Sequence, residues 1–447
     1  MPAVTVHLPS RAPDVERFFR GDAPAVIVKK NRGRTVWRVT AGEPALFVKR
    51  FPRELLRDRA RHEADVLRAM AEAGLPCPRL VATAKDGEGS YVVTEEIAGA
   101  QVLKALIAGG GHDARRLLGA FADLTRRLLD AGFEHGDYHI GNVLVRDGEM
   151  FVLDVHRARK RRPTAARRAD VVAFAAMSFL DLVPRTEVVR YIRKCGADAQ
   201  DAIRRLRRHR RTYFESRQER CFVEGSGFGA DGRVFYRKGV DLEAVRAAVK
   251  AEGQTVKRTG SESLVRLPRG WFVKRTTAAR AKRIWGGAHA LAVRGIPTPR
   301  LHACGPGWVV GDWIDAPNLG DVVRERFPVL PRGERDALIF RLARLVRRMH
   351  ERGALHKDLK SSNVLVGPAG FHFVDLDRVV TRSEVHQRQW TFALAQLSAS
   401  VHAAATRADR LRFLYAYIGS TRALWLRRRE IAAAIMKQTR ARKHLWP

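Results

Sequence analysis

The stretch His135-Gly-Asp-Tyr-His-Ile-Gly-Asn142 has a second copy in this chain, His356-Lys-Asp-Leu-Lys-Ser-Ser-Asn363. Both copies keep the histidine, the aspartate two positions later and the asparagine five positions after that aspartate, and both continue into Val-Leu-Val. The copies lie 221 positions apart (356 − 135). Internal repetition at a fixed distance indicates that related structural units follow one another in the chain.

Two further blocks repeat in the same register. Gly74-Leu-Pro-Cys-Pro-Arg-Leu80 matches Gly295-Ile-Pro-Thr-Pro-Arg-Leu301 at the same distance (295 − 74). Phe151-Val-Leu-Asp-Val-His-Arg157 corresponds to His372-Phe-Val-Asp-Leu-Asp-Arg378, with the acid and the closing arginine retained. Chance does not place three blocks in one register, so the sequence predicts a duplication.

Each copy shows the same order of local patterns: short β-type runs, a helical stretch, an extended run and further helices around the repeated loop. The predicted strands are Ala25–Lys29, Thr35–Val39, Ala45–Lys49 and Tyr91–Glu95 in the first copy, and Gln254–Arg258, Ser263–Leu267, Trp271–Lys274 and Trp308–Asp312 in the second. The predicted helices are Leu55–Ala73, Asp113–Ala131, Ala278–Arg294 and Arg332–Arg352. The predicted fold class is α+β, with a small β-rich lobe and a helical lobe in each of two tandem domains, residues 1–225 and 226–447. Arg-rich and Gly-rich residues 200–253 hold the junction.

The repeated acids and amides fit phosphoryl transfer, which requires neutralised phosphate charge and an aligned acceptor hydroxyl. Asp137 and Asp358 are predicted to orient that hydroxyl and accept its proton. A strand turn would bring an amide and a second carboxylate to the same place, and their oxygens are ligands that Mg²⁺ accepts. The predicted metal ligands are Asn142 and Asp154 in the first copy, and Asn363 and Asp375 in the second. We therefore expect ATP and Mg²⁺ as cofactors.

Lys49 and Lys274 end apolar runs and are predicted to reach the nucleotide phosphates from the third strand. Glu63, in the following helix, could hold Lys49 by an ion pair. The second copy has no acid between Lys274 and Asp312, so Lys274 must lack a helix partner or find another.

The predicted hairpins contain one glycine each, Gly33 and Gly260. They could cover phosphate, although a plain hairpin turn explains them equally well. Two positions after the predicted base, His139 in the first copy corresponds to Lys360 in the second. Lys360 could place positive charge on the transferred phosphate, whereas His139 could do so if protonated, could hydrogen-bond the acceptor or could support the loop.

These motifs resemble the protein-kinase-like superfamily over nearly the whole chain. They resemble most the lipopolysaccharide kinase (Kdo/WaaP) family, which is related to aminoglycoside and RIO-type kinases. The resemblance rests on the Gly-x-Pro-x-Pro-Arg blocks, on residues 135–142 and on Asp154-Val-His-Arg157, while residues 355–363 look more like a serine/threonine kinase loop. It implies transfer of the ATP γ-phosphate to a sugar hydroxyl of the lipopolysaccharide core or a similar lipid-linked glycan. The missing helix acid and the tandem arrangement depart from the family pattern.

The segment after each metal acid constrains the acceptor. Helical pattern resumes near Ala165 and Arg388, so little room remains for the long activation loop that holds peptides in protein kinases. This favours a lipid-linked glycan or another small hydroxyl acceptor. The chain has 83 Lys+Arg against 47 Asp+Glu, a formal net charge of +36. Such a field attracts anionic partners, with peripheral contact to an anionic membrane surface favoured over nucleic acid.

Composition excludes several other classes of protein. The four cysteines form no C-x-x-C pair, which predicts a reduced protein without structural zinc. No signal peptide and no apolar run of membrane-spanning length is found, so a cytoplasmic location is the expectation, with peripheral contact at the inner face of the membrane left open. Three alternatives stay open: an atypical, RIO-like protein kinase, a tandem of one active and one regulatory pseudokinase domain, and a scaffold. The oligomeric state is not predicted.

Overall fold

The computed structural model describes residues 2–31, 33–54, 58–109, 113–268 and 270–442. Residues 55–57 of one predicted helix and Arg32 of one predicted turn lie outside these ranges. The chain forms two compact units, Met1–Arg210 and Arg211–Pro447. Both units combine antiparallel strands with helices, which confirms the predicted α+β class.

The first unit places a sheet before a largely helical part. Its strands are β1 (Ala3–Val6), β2 (Ala25–Asn31), β3 (Arg34–Val39), β4 (Leu46–Pro52), β5 (Leu80–Lys85), β6 (Gly89–Glu95), β7 (Gln101–Val102), β8 (Phe133–Glu134), β9 (Val143–Arg146), β10 (Glu149–Val152) and β11 (Arg159–Lys160). Its helices are α1 (Ala12–Arg20), α2 (Arg59–Glu72), α3 (Leu103–Ala108), α4 (Ala114–Asp130), α5 (Ala165–Met177), α6 (Arg185–Lys194) and α7 (Ala199–Gln218), the last of which contains the division between the units.

The six-stranded sheet of the first unit has the order β1-β5-β6-β4-β3-β2. Alternate residues of a strand face opposite sides of a sheet. Along β6, Tyr91 and Val93 join the cluster that covers α1, while Val92 joins the core that contains α2 and the later helices. The sheet is therefore packed on both faces, and α2 lies between it and the helical part. The side chain of Asp58 caps α2 by accepting a hydrogen bond from the Arg61 N–H.

The second unit repeats this arrangement. Its strands are β12 (Phe228–Asp231), β13 (Val234–Arg237), β14 (Gln254–Thr259), β15 (Glu262–Arg266), β16 (Trp271–Arg275), β17 (Leu301–Gly305), β18 (Trp308–Asp312), β19 (Ala354–His356), β20 (Val364–Gly367), β21 (Gly370–Phe373) and β22 (Val379–Thr381). Its helices are α8 (Leu242–Lys250), α9 (Ala278–Val293), α10 (Leu319–Arg326), α11 (Arg332–Glu351), α12 (Gln387–Ser400), α13 (Arg407–Ile418), α14 (Arg422–Leu426) and α15 (Arg428–Arg440).

Strand order relates the two units directly. The seven-stranded sheet runs β12-β13-β17-β18-β16-β15-β14, and its last five strands reproduce the order β5-β6-β4-β3-β2. The alternation repeats too, because Val309 faces the core that contains α9 while Val310 faces α8. Thr277 caps α9 by accepting from the Arg280 N–H. The same order of elements thus surrounds both copies of the repeated loop.

The residues before the second sheet pack with the second unit. The indole N–H of Trp285 in α9 donates to the Cys221 carbonyl (2.9 Å), and the His289 ring lies within hydrogen-bond distance of the Arg217 carbonyl (3.0 Å). The compact units therefore divide at residue 210, inside α7, whereas the sequence analysis placed a domain boundary near 225. Residues 200–253 also contain α8 and the β12–β13 hairpin rather than a simple junction. The assignment of two domains stays a prediction.

The predicted strands and helices agree with the observed ones within a few residues. Helix α2 begins at Arg59 after its cap Asp58, and residues 55–57 of the predicted helix lie outside the described ranges. The four cysteines are free thiols. No described helix combines the length and apolar composition needed to cross a membrane.

Candidate active site

The repeated loop is held in place by a buried histidine at its start. In the first unit, His135 accepts a hydrogen bond at Nδ1 from the Asp137 N–H (3.3 Å) and donates from Nε2 to the Leu153 carbonyl (2.7 Å). Burial lowers the pKa of His135, and the acceptor role of its Nδ1 is that of a neutral ring. This ring joins the loop that carries Asp137 to the strand end that carries Asp154. Sequence analysis did not assign a role to it, although its repetition was a signal.

His356 makes the same connection in the second unit. It accepts from the Asp358 N–H (3.2 Å), and its Nε2 lies 3.0 Å from the Val374 carbonyl. Burial lowers the pKa of His356 as well. The buried histidine therefore anchors the two loops in the same way.

The amides predicted as metal ligands are oriented by the loop. The side-chain NH₂ of Asn142 donates to the Asp137 carbonyl (3.0 Å), and that of Asn363 donates to the Asp358 carbonyl (2.9 Å). Each amide oxygen is then the remaining atom that could serve a cation.

The second acids of the two copies share an unusual backbone. Asp154 has φ 63° and Asp375 has φ 57°, and among the described residues Asp147 alone joins them as non-glycine residues with positive φ. Aspartate tolerates this left-handed conformation better than most residues, and in both copies it follows the end of a strand and precedes a short turn. The structure therefore gives both predicted metal acids the same local geometry.

In the first unit, Lys49 lies between two carboxylates. Its Nζ is 2.6 Å from Oε1 of Glu63 and 3.7 Å from Oδ1 of Asp154. The Glu63 side chain is 2% exposed, so α2 supplies a desolvated acid that fixes the lysine. Glu63, Asp154 and His156 place ligand atoms within 4.8 Å of one another. Lys49, Glu63 and the predicted metal ligand Asp154 thus lie together. The space around them and the loop residues Asp137 and Asn142 is called the first cleft.

Arg34 also enters this cleft, which sequence analysis missed. Its guanidinium pairs with both carboxylate oxygens of Asp154, with Nη2 2.6 Å from Oδ2. Nδ1 of His156 lies 2.9 Å from Oδ1 of the same acid. Burial opposes ionisation of Asp154, but these hydrogen bonds and the charge of Lys49 hold its pKa well below the usual range. Asp154 is therefore a carboxylate at any physiological pH.

The groups beside the predicted bases differ between units. Nε2 of His139 lies 3.8 Å from Asp137, while its Nδ1 accepts a hydrogen bond from the Gly141 N–H and caps the short turn at residues 140–142. Lys360 instead places its Nζ 3.2 Å from Asp358. His139 thus supports the loop, which is one of the roles considered for it. Of the two loops, the second is the one in which a permanent cation, Lys360, lies beside the predicted base.

Lys274 finds a different partner from Lys49. Its Nζ lies 2.6 Å from Oδ1 of Asp375, the predicted metal ligand, and the space around these two residues and the loop residues Asp358 and Asn363 is called the second cleft. At the 221-residue offset, Ile284 stands where Glu63 stands in the first unit (284 − 63). Burial opposes ionisation of Asp375, yet the charge and hydrogen bond of Lys274 lower its pKa, with help from Arg280.

The second cleft contains an arginine from the helix rather than from the hairpin. The Arg280 guanidinium lies 2.6 Å from Glu262, 2.9 Å from Asp377 and 3.6 Å from Asp375. Glu262 is the first residue of β15, as Arg34 is the first residue of β3, so the hairpin and helix charges are exchanged between units. A comparison of the two hairpin registers would have found this exchange.

The two predicted glycines lie at hairpin turns. The Gly33 N–H donates to the side chain of Asn31 (2.9 Å) in the β2–β3 turn. Gly260 has φ 57° in the β14–β15 turn. Both hairpins border the strands that carry the lysines, and a role in covering phosphate stays a prediction.

Comparison with known proteins adds curated relatives. The chain is 29% identical over 157 residues to the "Probable bifunctional tRNA threonylcarbamoyladenosine biosynthesis protein" of Methanoculleus marisnigri, covering 34% of this chain and 27% of that protein. It is 27% identical over 161 residues to the "EKC/KEOPS complex subunit BUD32" of Encephalitozoon cuniculi, covering 36% of this chain and 72% of that subunit. The chain thus spans about a quarter of the first relative's length.

Solved structures with a similar chain include "WaaP in complex with acyl carrier protein", at 23% identity and TM-score 0.37, covering 45% of this chain and 92% of that one. An aminoglycoside-3'-phosphotransferase of type VIII shows 19% identity and TM-score 0.34, covering 43% of this chain and 97% of the other.

One family pattern matches more than half of the chain, at residues 26–193 and 318–417. The matched ranges contain both repeated loops and both metal acids, together with Lys49 and Glu63. They leave out residues 194–317, where Lys274 and Arg280 lie. With loops, acids and family pattern in agreement, the chain belongs to the lipopolysaccharide kinase (Kdo/WaaP) family.

Proposed function

We propose that this protein is an ATP-dependent phosphotransferase whose acceptor is a sugar hydroxyl of a lipopolysaccharide core or a similar lipid-linked glycan. The observation that carries the proposal is the first cleft, where Lys49 is held by Glu63 beside Asp154 and where the loop presents Asp137 and Asn142. Membership in a kinase family supports the same chemistry. We further propose two tandem kinase-like domains, the first of which is the catalytic one.

Each side chain of the first cleft has a role in this reaction. Asn142 and Asp154 are the residues that would hold Mg²⁺, because an amide oxygen and an ionised carboxylate are both ligands that this cation accepts. A bound Mg²⁺ supplies neutralisation of phosphate charge. Lys49 neutralises phosphate from β4, and Glu63 keeps it extended towards the cleft. Asp137 orients the acceptor hydroxyl and takes its proton as the new O–P bond forms, while the bond between the γ-phosphorus and the bridging oxygen of ATP breaks and ADP leaves.

The surface beside the loop suits an anionic acceptor. Strand β11 pairs with β8, so the residues after Asp154 lie next to the strand that enters the loop. This segment ends where α5 begins at Ala165, and it exposes five basic side chains. They are Arg157, Arg159, Lys160, Arg161 and Arg162. A short cationic segment in place of an activation loop supports a phosphorylated glycan presented at an anionic membrane face, with the protein in the cytoplasm.

A protein acceptor is the second candidate, and one observation favours it. In the second unit Lys360 lies beside Asp358, in a loop that resembles serine/threonine kinases. The short segments after both metal acids count against it. The two candidates differ in the molecule that receives phosphate.

The test is transfer of labelled phosphate from ATP to core-oligosaccharide extract or to mixed protein substrates. We expect the wild-type chain to label the glycan, and the Asp137→Asn, Asp358→Asn double variant to lose that labelling. Asp147→Asn is the matched control, because Asp147 is exposed in the β9–β10 turn with positive φ and should retain full transfer. Full glycan labelling by the double variant would refute the assignment. Labelling of protein alone would establish the second candidate.

A further inference from the structure

We propose that the second cleft binds nucleotide without a divalent cation, with Arg280 supplying the positive charge that a metal supplies in the first cleft. This inference rests on the proposed function, since it takes both clefts to be nucleotide sites. It assigns the second unit to nucleotide sensing rather than to metal-dependent transfer.

The first step of the argument is the engagement of Asp375. Lys274 lies 2.6 Å and Arg280 lies 3.6 Å from the same oxygen, Oδ1. A divalent cation at this carboxylate would meet two cations at close range, in a site that is partly screened from water. The acid that should hold the metal is therefore already neutralised by protein charges.

Arg280 is also fixed from several sides. It lies against Glu262, which additionally accepts a hydrogen bond from the Thr276 hydroxyl (2.6 Å), and against Asp377, whose side chain is 6% exposed. An arginine held by three carboxylates is not readily displaced, because each broken pair leaves an unpaired charge that is partly buried.

The backbone of α9 supports this arrangement. A Cβ added to Gly287 would lie 2.3 Å from the Leu376 carbonyl, so this glycine allows α9 to approach the segment after Asp375. At the 221-residue offset, the first unit has Val66 there (287 − 66). The close approach brings Arg280 within reach of Asp377.

The first cleft lacks this fixation. Among the described residues, Asp154 is the one carboxylate that receives a hydrogen bond from Arg34, which extends from the start of β3 beside the exposed strand β2. The residue that corresponds to Asp377 is His156, which adds no permanent charge. A cation at Asp154 would therefore displace Arg34 from the carboxylate that binds it, whereas a cation at Asp375 would leave Arg280 paired with Glu262 and Asp377.

Three permanent cations lie around the second cleft. Lys360 is a permanent cation where the first unit has His139, and Lys274 and Arg280 lie on the lobe that would cover the phosphates. Each of these cations is paired with a carboxylate in the structure, so a bound polyphosphate would share them with Asp358, Asp375, Glu262 and Asp377. The ligand class that fits is a nucleoside triphosphate or diphosphate.

The experiment measures binding of a fluorescent ATP analogue, mant-ATP, to the full chain in excess EDTA and in excess MgCl₂. Lys49→Met disables the first site and Lys274→Met disables the second. We expect the Lys49→Met chain to bind mant-ATP with equal affinity in both buffers. The affinity of the Lys274→Met chain should fall by about tenfold or more in EDTA. Loss of binding by Lys49→Met in EDTA would overturn the proposal. If the wild type binds mant-ATP in neither the EDTA buffer nor the MgCl₂ buffer, the proposed function is refuted instead.

A second pair of variants tests the arginine itself in the Lys49→Met background. Arg280→Gln should make the remaining binding depend on MgCl₂, and Arg280→Lys should restore part of the binding in EDTA. Arg283→Gln is the matched control, because Arg283 is exposed on the same helix and should bind as its parent does. Metal-independent binding by a folded Arg280→Gln variant would contradict the role of Arg280.

Discussion

The two clefts share a loop and differ in where their charges are anchored. In the first unit the helix presents an acid, Glu63, and the hairpin presents Arg34; in the second the helix presents Arg280 and the hairpin presents Glu262. The partner of the lysine differs accordingly: Lys49 pairs with Glu63 of the helix, whereas Lys274 pairs with Asp375. An exchange of a few charges thus distinguishes two clefts that are built on the same loop.

The largest expected effect is the difference in activity loss between variants of the two predicted bases, Asp137 and Asp358. Asp137→Asn should lower glycan phosphorylation by about a thousandfold, because general-base and orienting groups contribute about that much to transfer. Asp358→Asn should cost less than about tenfold, as it acts in the cleft assigned to binding. Initial rates of ADP release with glycan present measure both. Equal losses from the two variants would remove the functional difference between the clefts.

The next effect concerns the helix acid. Glu63→Gln should lower kcat/KM by about a hundredfold, because Lys49 loses the acid that positions it and a small misplacement of a positioning group costs about that much. Lys49 is then expected to move onto Asp154, as Lys274 sits on Asp375. Glu72→Gln, an exposed change on the same helix, is the control. Unchanged kcat/KM for Glu63→Gln would show that α2 does not position the lysine.

A smaller effect is expected from the hairpin arginine. Arg34→Gln should reduce, by about tenfold, the Mg²⁺ concentration that half-saturates nucleotide binding, because the guanidinium and the cation compete for the same Asp154 oxygens. Titration of MgCl₂ with mant-ATP in the Lys274→Met background isolates this site. A higher Mg²⁺ requirement would mean that Arg34 assists the cation instead.

The smallest effect is a difference in pH dependence between the helical parts. Burial lowers the pKa of His350 in α11 to about 3, and at the 221-residue offset the first unit has Leu129. The folded state keeps this ring neutral while the unfolded chain binds a proton below about pH 6.5, so stability is lost as pH falls. His350 should therefore reduce the free energy of unfolding by about 0.7 kcal/mol between about pH 7 and about pH 6.

Urea unfolding of the full chain at the two pH values measures this loss. His350→Leu, which copies the first unit, should show a shallower fall in the free energy of unfolding. An unchanged pH dependence in that variant would show that His350 does not contribute to it.

Sequence alone determined the repeat and the order of strands and helices, and it supplied the prediction that the loop residues act in phosphoryl transfer. These features are written in local patterns and fixed spacings, such as Asp137 and Asn142 five positions apart. The missing acid after Lys274 was also visible, because absence of a residue type within one helix is a property of the sequence.

Only the tertiary structure decided what the charges do. Arg34 and Asp154 are 120 positions apart, and Arg280 and Asp377 are 97 apart, so no local pattern links them. Their pairing depends on how each sheet and helix pack over the loop, down to the glycine that lets α9 approach Leu376. Long-range ion pairs are set by packing geometry, which is why the sequence showed two similar clefts and the structure distinguished them.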